Sequence, residues 1–375
     1  MSLAVLMLLE GSFPAMGGAE RQLETLAHAL LAQGYAVSVL VPRLHPGQPA
    51  GSDRHGPLPV FRIAYPQVRL FGTLVLLLRL AWFLVARRHE YDAIHVHIAH
   101  NMGAVASLVG RLLGKPVVVK FSGWWEQEKG CLRPKGGAGA ALARWMLRRA
   151  SAVQGISTRI IAELAARGFS PRRLHWLPNG VPMDRFAGIR RPPGGCAPPT
   201  VLFVGRLVPE KGLDTLLAAW AQARRPPGWR LRLVGEGPLR AALEAQARAL
   251  GITASVELPG QSERVEEDLA GADLGVLPSR FEGLSNTLLE GMAAGLPMLA
   301  SRISGNEDFV VPGRNGWLFE PGDVTGLAAA LSAAMALPAA ARQAMGEAAR
   351  ADVLAKASVP AVIGQLLPLY RGTKA

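Results

Sequence analysis

The sequence predicts an α/β protein made of two doubly wound, Rossmann-like domains. Short apolar runs alternate with longer helical patterns from residue 3 to about residue 367, and the alternation breaks once, at a proline- and glycine-rich stretch. The apolar runs are nearly continuous, which is typical of parallel strands covered by helices on both faces. Because such sheets bind ligands beyond the carboxyl ends of their strands, we expect the two domains to face a central cleft. The length of 375 residues is sufficient for both.

The first domain is predicted over residues 1–185. Helical patterns at residues 19–33 and 102–113 separate successive apolar runs. The predicted strands are residues 3–8, 36–41, 60–63, 93–97, 117–121, 152–156 and 174–177. Each loop that leaves the carboxyl end of one of these strands is a candidate binding loop.

A stretch without helix or strand potential separates the two halves. From Arg191 to Pro199 the chain contains four prolines and two glycines, so it can be neither a helix nor an inner strand. We place a linker at residues 186–198, a second domain at 199–357 and a last helical segment at 358–375. The strands predicted in the second domain are residues 201–204, 230–234, 255–258, 272–277, 298–300 and 316–319, with helices beginning at Gly212, Pro238 and Ser285.

The excess of positive charge is confined to the first half of the chain. The formal net charge is +13; the first 190 residues hold 23 lysines and arginines against 10 acidic residues, and the remainder holds 18 of each. Such an excess says more about partners than about the fold. The candidate partners are nucleic acid, an anionic membrane surface or an acidic acceptor. The basic residues are scattered and no nucleic-acid-binding motif is found, which disfavours nucleic acid.

Cysteine content and hydropathy predict a cytoplasmic protein and leave peripheral binding to the inner face of the membrane as an open alternative. Cys131 and Cys196 provide neither a disulfide framework nor a zinc ligand set, so we expect a reducing compartment. The apolar run at residues 3–9 is short and no basic residue precedes it, so it indicates a strand rather than a signal peptide. The leucine-rich run at residues 70–85 contains Arg79 and falls short of the roughly 18–20 apolar residues of a span. It is predicted to be a buried helix of the first domain or a helix at a membrane interface.

Two glutamates frame the most informative motif of the chain. Glu282 lies in the loop after a predicted strand, and Glu290 lies two helical turns further on, on about the same face as the first turn. The backbone N–H groups of that first turn have no intrahelical partners, so Gly283, Leu284 and Ser285 can approach a phosphate or a sugar. Two acceptor carboxylates beside a row of donors suit a ligand with hydroxyls at both ends and phosphates in the middle.

Cations follow the first strand of the second domain. Gly205 leaves room for a ligand and is followed by Arg206, whose guanidinium offers a fork of donors, while Lys211 adds a compact charge at the next helix start. Both side chains suit a diphosphate.

Two further glycine motifs lie at predicted strand ends. Gly235 and Glu236 follow the second strand of the second domain, where the glycine would let a nucleobase approach the backbone. Gly17 and Gly18 precede the first helix and can place N–H groups around an anion. A plain turn explains both motifs equally well. The Gly17-Gly18 pair is not the dinucleotide Gly-x-Gly-x-x-Gly pattern, which disfavours a nicotinamide enzyme.

Taken together, the Glu-x7-Glu segment, Gly205-Arg206-Leu207-x-x-Glu210-Lys211-Gly212 and Gly17-Gly18-Ala19-Glu20 resemble the retaining glycosyltransferases of the family 4 type. The resemblance covers nearly the whole chain. It implies the GT-B fold, a second domain that binds a nucleotide-diphosphate sugar, and a first domain that binds the acceptor. The acceptor would be a saccharide or a lipid-linked precursor of a cell-surface polysaccharide. A last helix at residues 359–370 would cross back to the first domain.

The same resemblance implies roles for the motif residues. Arg206 and Lys211 would hold the leaving diphosphate and stabilise its growing charge. Glu282 would contact the donor sugar, and Glu290 would accept hydrogen bonds from the ribose hydroxyls. Gly18 would contact the diphosphate. Because two cations are available and no Asp-x-Asp motif is present, we expect metal-independent turnover with no cofactor.

The sequence departs from the family pattern after the strand at residues 117–121. The family often has a histidine there, whereas this chain has Ser122, which cannot act as a histidine would. Nearby, Trp124 offers an apolar face to a sugar or lipid. His95 and His97 face one side of another strand end; without a third ligand at suitable spacing they indicate a polar wall on the acceptor side rather than a metal site.

Two other functions fit parts of the sequence. A sugar-nucleotide epimerase or hydrolase of the same fold would consume the donor without an acceptor, but no catalytic acid/base set for it is found. A basic protein that binds nucleic acid or membrane without catalysis would explain the charge. It would not explain why Arg206, Lys211, Glu282 and Glu290 are all present.

Overall fold

The computed structural model describes residues 2–14, 17–49, 51–68, 70–123, 137–190 and 194–372. The chain forms two compact units: Met1–Gly180 with Val359–Ala375, and Val181–Ser358. It therefore leaves the first unit after Gly180 and returns to it at Val359.

The first unit is built on an eight-stranded sheet in the order β3-β4-β2-β1-β5-β6-β7-β8. Its strands are β1 (Ala4–Leu8), β2 (Ala36–Pro42), β3 (Gly51–His55), β4 (Leu58–Ile63), β5 (Ala93–Val96), β6 (Val117–Phe121), β7 (Ala152–Gly155) and β8 (Leu174–Trp176). All neighbours pair in parallel except β3 and β4, which form an antiparallel hairpin. Strand β3 was not predicted, because its five residues are polar or glycine and lie at an exposed edge.

Helices cover this sheet, and the last of them comes from the end of the chain. They are α1 (Gly18–Ala32), α2 (Phe71–Ala86), α3 (Asn101–Leu112), α4 (Ala138–Leu147), α5 (Thr158–Ala166) and α13 (Val359–Tyr370). Helix α13 packs against α1 and β6, and Val362, Ile363 and Leu366 are buried in the core of the first unit. Burial of each such side chain contributes about 1.5–3 kcal/mol, enough to fix the helix on this unit.

The second unit contains a six-stranded parallel sheet in the order β11-β10-β9-β12-β13-β14. Its strands are β9 (Thr200–Val204), β10 (Arg230–Val234), β11 (Val256–Gly260), β12 (Leu274–Leu277), β13 (Met298–Ser301) and β14 (Gly316–Phe319). Its helices are α6 (Leu213–Gln222), α7 (Arg240–Ala249), α8 (Val265–Ala270), α9 (Asn286–Ala293), α10 (Asn306–Phe309), α11 (Val324–Ala336) and α12 (Ala339–Ala357). The strand order reverses between β9 and β12, so the loops that follow these two strands are neighbours, as is usual for ligand sites in such sheets.

The segment predicted as a linker, residues 186–198, is part of the second unit. The Asp273 carboxylate holds the end of this segment in place. It accepts hydrogen bonds from the backbone N–H groups of Cys196 and Thr200, each at 3.1 Å. Proline content thus marked an irregular segment but not the division of the chain, which falls at Gly180–Val181.

Within the residue ranges that the structure describes, no single helix is both long and apolar enough to span a membrane. Helices α11 and α12 meet the length and composition criteria only as a pair bent by 112°.

Candidate active site

The loops after β9 and β12 meet at the point where the strand order of the second unit reverses. The Arg280 N–H donates a hydrogen bond of 2.7 Å to the Glu210 carbonyl. Gly212 has a φ of +64°, and a Cβ at this position would lie 2.2 Å from the Pro278 carbonyl oxygen. The close approach therefore requires a glycine, and it brings the Lys211 loop against the Glu282 loop.

An ion pair joins these two loops. The Lys211 Nζ atom lies 2.5 Å from Glu282 Oε1, and both side chains are mostly buried, with 16% and 14% exposed. The Ser279 hydroxyl donates a second hydrogen bond of 2.7 Å to the same oxygen. A cation suited to phosphate and a carboxylate suited to sugar hydroxyls are thus in direct contact at the strand ends.

Buried polar groups support this pair from below. The Ser301 hydroxyl donates to the Ser279 carbonyl at 2.5 Å, and the Asn306 amide donates to the Ser301 carbonyl at 2.9 Å. Ser279, Ser301 and Asn306 are fully buried. Gly305 approaches so closely that a Cβ there would lie 2.3 Å from the Gly283 carbonyl oxygen. The end of β13 therefore fixes the loop that carries Glu282.

The loops that follow β9 and β10 are in direct backbone contact. A Cβ at Gly235 would lie 1.8 Å from the Gly205 carbonyl oxygen, and the Leu207 N–H donates to the Glu236 carbonyl at 2.9 Å. The Glu236 carboxylate pairs with Arg240 at 2.7 Å. Arg206 is exposed, and within the described ranges no hydrogen bond or ion pair engages its guanidinium. That side chain is accessible to an anion.

Glu290 lies on α9, as the spacing predicted. Its side chain is 19% exposed, and its Oε1 atom lies 3.6 Å from Nη1 of Arg185. Leu284 and Ser285 are buried just before the helix begins, so only their backbone is suited to ligand contact. Glu290 and Glu282 therefore belong to one strand–loop–helix element but have different partners.

The predicted glycine motif of the first unit lies at the start of α1. Gly18 is the first residue of the helix, and Gly17 is its N-cap residue. Glu20 lies close to them, because a Cβ at Gly17 would meet its carboxylate at 2.1 Å. At the equivalent position of α3, the Glu10 carboxylate accepts a hydrogen bond from the Met102 N–H at 2.7 Å.

His95, in β5, and His97, directly after it, are buried inside the first unit. His95 is hydrogen-bonded through Nε2 to Gln154 Oε1 at 3.2 Å and through Nδ1 to the Tyr370 hydroxyl at 2.6 Å. Burial and, after it, the charge of Lys120 lower the pKa of His95 to about 3, although the hydrogen bond to Gln154 acts to raise it. This histidine is therefore neutral near pH 7.

The remaining residues predicted on the acceptor side have different environments. His97 is only 1% exposed, and its ring centroid lies 4.3 Å from that of His95. Burial, followed by the charges of His95 and Lys120, lowers its pKa well below the usual value. Ser122 is half-buried just after β6, and Trp124 lies outside the described residues. In the described part of the chain, no group of three or more His, Cys, Asp or Glu side chains is arranged to hold a metal ion.

Ser279 and Arg185 are among the side chains at this site that sequence reasoning missed. Ser279 is separated from the predicted strand only by Pro278, so the polar residue near a strand end was a usable signal. Arg185 comes from a turn almost a hundred residues before α9 in sequence, and no motif marks it. Its proximity to Glu290 depends on how the start of the second unit packs.

Comparison with known proteins identifies the family. The model described as glycosyl transferase 4-like domain matches residues 17–180, and the model described as glycosyl transferases group 1 matches residues 198–336. An alpha-D-kanosaminyltransferase of Streptomyces kanamyceticus is 30% identical over 317 residues, which cover 78% of this chain and 81% of that protein. This chain belongs to the family 4-like glycosyltransferases. The predicted glycosyltransferase, which moves a sugar from a nucleotide sugar, is confirmed.

Other similar proteins extend along most of this glycosyltransferase. A GDP-mannose-dependent alpha-mannosyltransferase of Mycolicibacterium smegmatis is 29% identical over 377 residues, covering 98% of this chain and 96% of that protein. A shorter match, 39% identical over 171 residues, covers 45% of this chain and 18% of an exopolysaccharide phosphotransferase of Streptomyces coelicolor. The crystal structure of Anabaena Alr3699/HepE in complex with UDP aligns with a TM-score of 0.77 at 20% identity, covering 97% and 98% of the two chains. The GT-B fold is thereby confirmed.

Proposed function

We propose that this glycosyltransferase retains the anomeric configuration and binds a nucleotide-diphosphate sugar at the ends of β9 and β12. The observation that carries the proposal is the ion pair of 2.5 Å between Lys211 and Glu282. A diphosphate offers oxygen acceptors to the lysine, and a sugar offers hydroxyl donors to the carboxylate. A single donor molecule can therefore replace both halves of the pair, so that neither charge is left without a partner.

The other motif residues complete this donor site. Arg206 is exposed and supplies a second cation for the diphosphate. The backbone around Gly283 and Ser285 supplies N–H donors at the start of α9. Glu290, on the same helix, accepts hydrogen bonds from the ribose hydroxyls. The nucleoside is assigned to the ends of β9 and β10, where the backbones of Gly205 and Gly235 are in contact.

The proposed reaction is a displacement on one face of the sugar. The bond between the anomeric carbon and the diphosphate oxygen breaks, and a bond from that carbon to an acceptor hydroxyl oxygen forms on the same face. The acceptor proton passes to the leaving phosphate oxygen. Lys211 and Arg206 stabilise the charge that develops on the diphosphate, which is the main catalytic demand of this chemistry. No protein nucleophile is required.

Ligand binding tests the donor site directly. Thermal shift and calorimetry with UDP, GDP, ADP and CDP would be measured on the wild type, Lys211→Ala, Glu290→Ala and the control Arg264→Ala, an exposed residue of the same unit. A ligand that binds only the folded state raises the unfolding temperature. We expect one nucleotide to bind the wild type and the control with similar affinity and to bind both site variants more weakly. Equal binding by all four proteins would contradict the proposed site.

Stereochemistry and metal dependence are tested with the donor that this screen identifies. NMR of the first-formed product would show the donor's own anomeric configuration, and an inverted product would overturn the retaining mechanism. We expect turnover to be unchanged in excess chelator, because Arg206 and Lys211 supply the charge that a metal ion would otherwise supply. Loss of activity that returns with added divalent cation would show the opposite.

We also propose that the acceptor is a saccharide or lipid-linked molecule met at an anionic membrane surface. The support is helix α2. Five large apolar residues on it are exposed at intervals of three to four positions, which places them along one face: Phe71, Leu74, Leu78, Trp82 and Val85. The opposite face, with Leu76, Leu80 and Leu84, is buried against the unit. Trp82 is 72% exposed, which is unusual for a tryptophan without a partner surface.

Charge indicates which surface this face meets. Helix α2 contacts α3, and α3 contacts α4; none of the three contains an acidic residue, although each contains an arginine. Arg88 follows α2, and Leu112 on α3 and Trp145 on α4 are also large exposed apolar residues. Apolar insertion supplies most of the affinity, and each arginine adds about 1 kcal/mol near anionic lipid. The surface therefore suits an anionic bilayer better than a neutral one.

Vesicle sedimentation tests this partner. We expect binding to phosphatidylcholine vesicles that contain phosphatidylglycerol, weaker binding to phosphatidylcholine alone, and loss of binding in the double variant Leu78→Glu, Trp82→Glu. Leu354→Glu is the matched control, because Leu354 is an equally exposed leucine of the second unit. Absence of binding to anionic vesicles at moderate salt would sink the membrane proposal and leave the donor site untouched.

A further inference from the structure

Arg185 lies beside the carboxylate that we propose for the ribose hydroxyls. It belongs to the short 3-10 turn Met183–Phe186 at the start of the second unit. Its Nη1 atom lies 3.6 Å from Glu290 Oε1, which is within ion-pair range and beyond a hydrogen bond. Through this contact the guanidinium attracts Glu290 without donating a hydrogen bond to Oε1.

A second carboxylate holds Arg185 from its other edge. Nε and Nη2 lie 2.8 Å and 2.5 Å from Oε1 of Glu266, in the first turn of α8. Partial burial acts to raise the pKa of Glu266, but hydrogen bonds from its own backbone and from Arg185, together with the Arg185 charge, leave that pKa below its usual value. Glu266 is therefore a firm anchor for the arginine at neutral pH.

The arrangement places one cation between two carboxylates. Without the cation, Glu266 and Glu290 would repel each other, and Glu290 would lose the attraction of Arg185. The Arg185 and Glu266 side chains are 42% and 33% exposed, so water screens part of the interaction. The expected effect is thus on the orientation of Glu290 rather than on the folding of the unit.

We propose that Arg185 is a positioning residue for the donor nucleoside: anchored by Glu266, it holds the Glu290 carboxylate in the orientation that accepts the ribose hydroxyls. This inference rests on the proposed function, because it requires Glu290 to be the ribose acceptor. A correctly held carboxylate discriminates against a nucleotide that lacks a hydroxyl, since the missing donor leaves a desolvated acceptor without a partner. Arg185 therefore controls selectivity for ribonucleotides.

The test compares calorimetric affinities for UDP and GDP with those for their 2′-deoxy forms. For the base that the wild type binds, we expect the ribonucleotide to bind roughly ten- to a hundredfold more tightly, the range for a hydrogen bond to a charged group. In Arg185→Ala and in Glu266→Gln that ratio should fall to within about threefold of one, while Arg185→Lys should keep part of it. Arg264→Ala, which removes an exposed arginine one residue before α8, should keep the wild-type ratio.

The outcomes separate this inference from the donor-site proposal. If Glu290→Ala loses the selectivity and Arg185→Ala keeps it, Glu290 contacts ribose but Arg185 does not position it, and the inference is overturned. If Glu290→Ala also keeps the wild-type ratio, or if no nucleotide binds, the donor-site proposal fails first. A folding defect is excluded by thermal unfolding of each variant, and a merely structural role would lower both affinities equally and leave the ratio unchanged.

Discussion

Each unit has a cluster of polar side chains near the carboxyl ends of its strands, but the two clusters differ in charge and burial. In the first unit, His95, Gln154 and Tyr370 are at most 1% exposed, and the pKa of His95 is lowered to about 3. In the second unit, Lys211 and Glu282 form an ion pair and keep 16% and 14% of their side chains exposed. The first cluster is neutral and closed, whereas the second is charged and reaches solvent.

The hydrogen bonds of the first cluster run in one direction. The Tyr370 hydroxyl donates to His95 Nδ1, the opposite ring nitrogen donates to Gln154 Oε1, and the Gln154 amide donates to the Leu177 carbonyl at 2.9 Å. Each polar side chain in this series of hydrogen bonds has a partner, so the cluster stabilises the unit. Burying the two charges of the second cluster has a desolvation penalty that weakens their contribution to stability. A role in ligand binding explains why charged residues are present there. We therefore expect substitutions in the two clusters to affect different properties, stability in one and activity in the other.

The largest effect is expected at Lys211. In Lys211→Ala, kcat/KM should fall by roughly 10²–10³, because a charge aimed at the leaving diphosphate is lost from a low-dielectric site. The unfolding temperature should change by only a few degrees. Steady-state kinetics and thermal unfolding of the same preparation check both statements, with Arg264→Ala as the control. Activity within tenfold of the wild type would remove Lys211 from the proposed mechanism.

Glu282→Gln tests the proposed contact of the second cluster with the transferred sugar. The amide keeps the size of the side chain and loses the ionised acceptor, so we expect kcat to fall by roughly ten- to a hundredfold, the range for a charged hydrogen bond. Affinity for the free nucleoside diphosphate should hardly change, because that ligand lacks the transferred sugar that Glu282 is proposed to contact. A large loss of nucleotide affinity would instead place Glu282 at the phosphates.

Whether the sequence could predict a residue of this site depends on which part of the fold holds that residue in place. Lys211 and Glu282 were predictable, because neighbouring strands in a doubly wound sheet bring their following loops together. Ser301 and Asn306 were not, since their support depends on how β13 packs below the loop. The burial of His97 depends on the packing of the sheet with α13, to which the strand pattern gives no guide. The alternation of apolar runs with helical patterns likewise predicted the buried strands but not β3, which has no apolar face.

Tyr370→Phe tests the stabilising role of the first cluster. Removing the hydroxyl leaves His95 Nδ1 buried without its partner, so we expect a loss of about 1–3 kcal/mol in the free energy of unfolding. Turnover per folded molecule should stay unchanged. Urea unfolding measures the first quantity and active-site-normalised kinetics the second. Tyr35→Phe, at a half-buried tyrosine of the same unit, is the control. Equal stability of the two variants would mean that the hydrogen bond from Tyr370 contributes nothing measurable to the free energy of unfolding.

The smallest effect is a pH dependence that only the first cluster should show. The folded-state pKa of His95 is about 3 and that of His97 is also lowered, so the unfolded chain binds more protons than the folded one below its own histidine pKa near 6.5. Stability is therefore fully present above pH 6.5 and is lost as the pH falls toward 3. Between pH 7 and pH 6 we expect a loss of under about 1 kcal/mol per histidine. Urea unfolding at both values should show roughly half of the two-histidine loss in His97→Leu, whose ring nitrogens have no hydrogen-bond partner within the described ranges. An unchanged pH dependence in this variant would mean that His97 is not neutral in the folded unit.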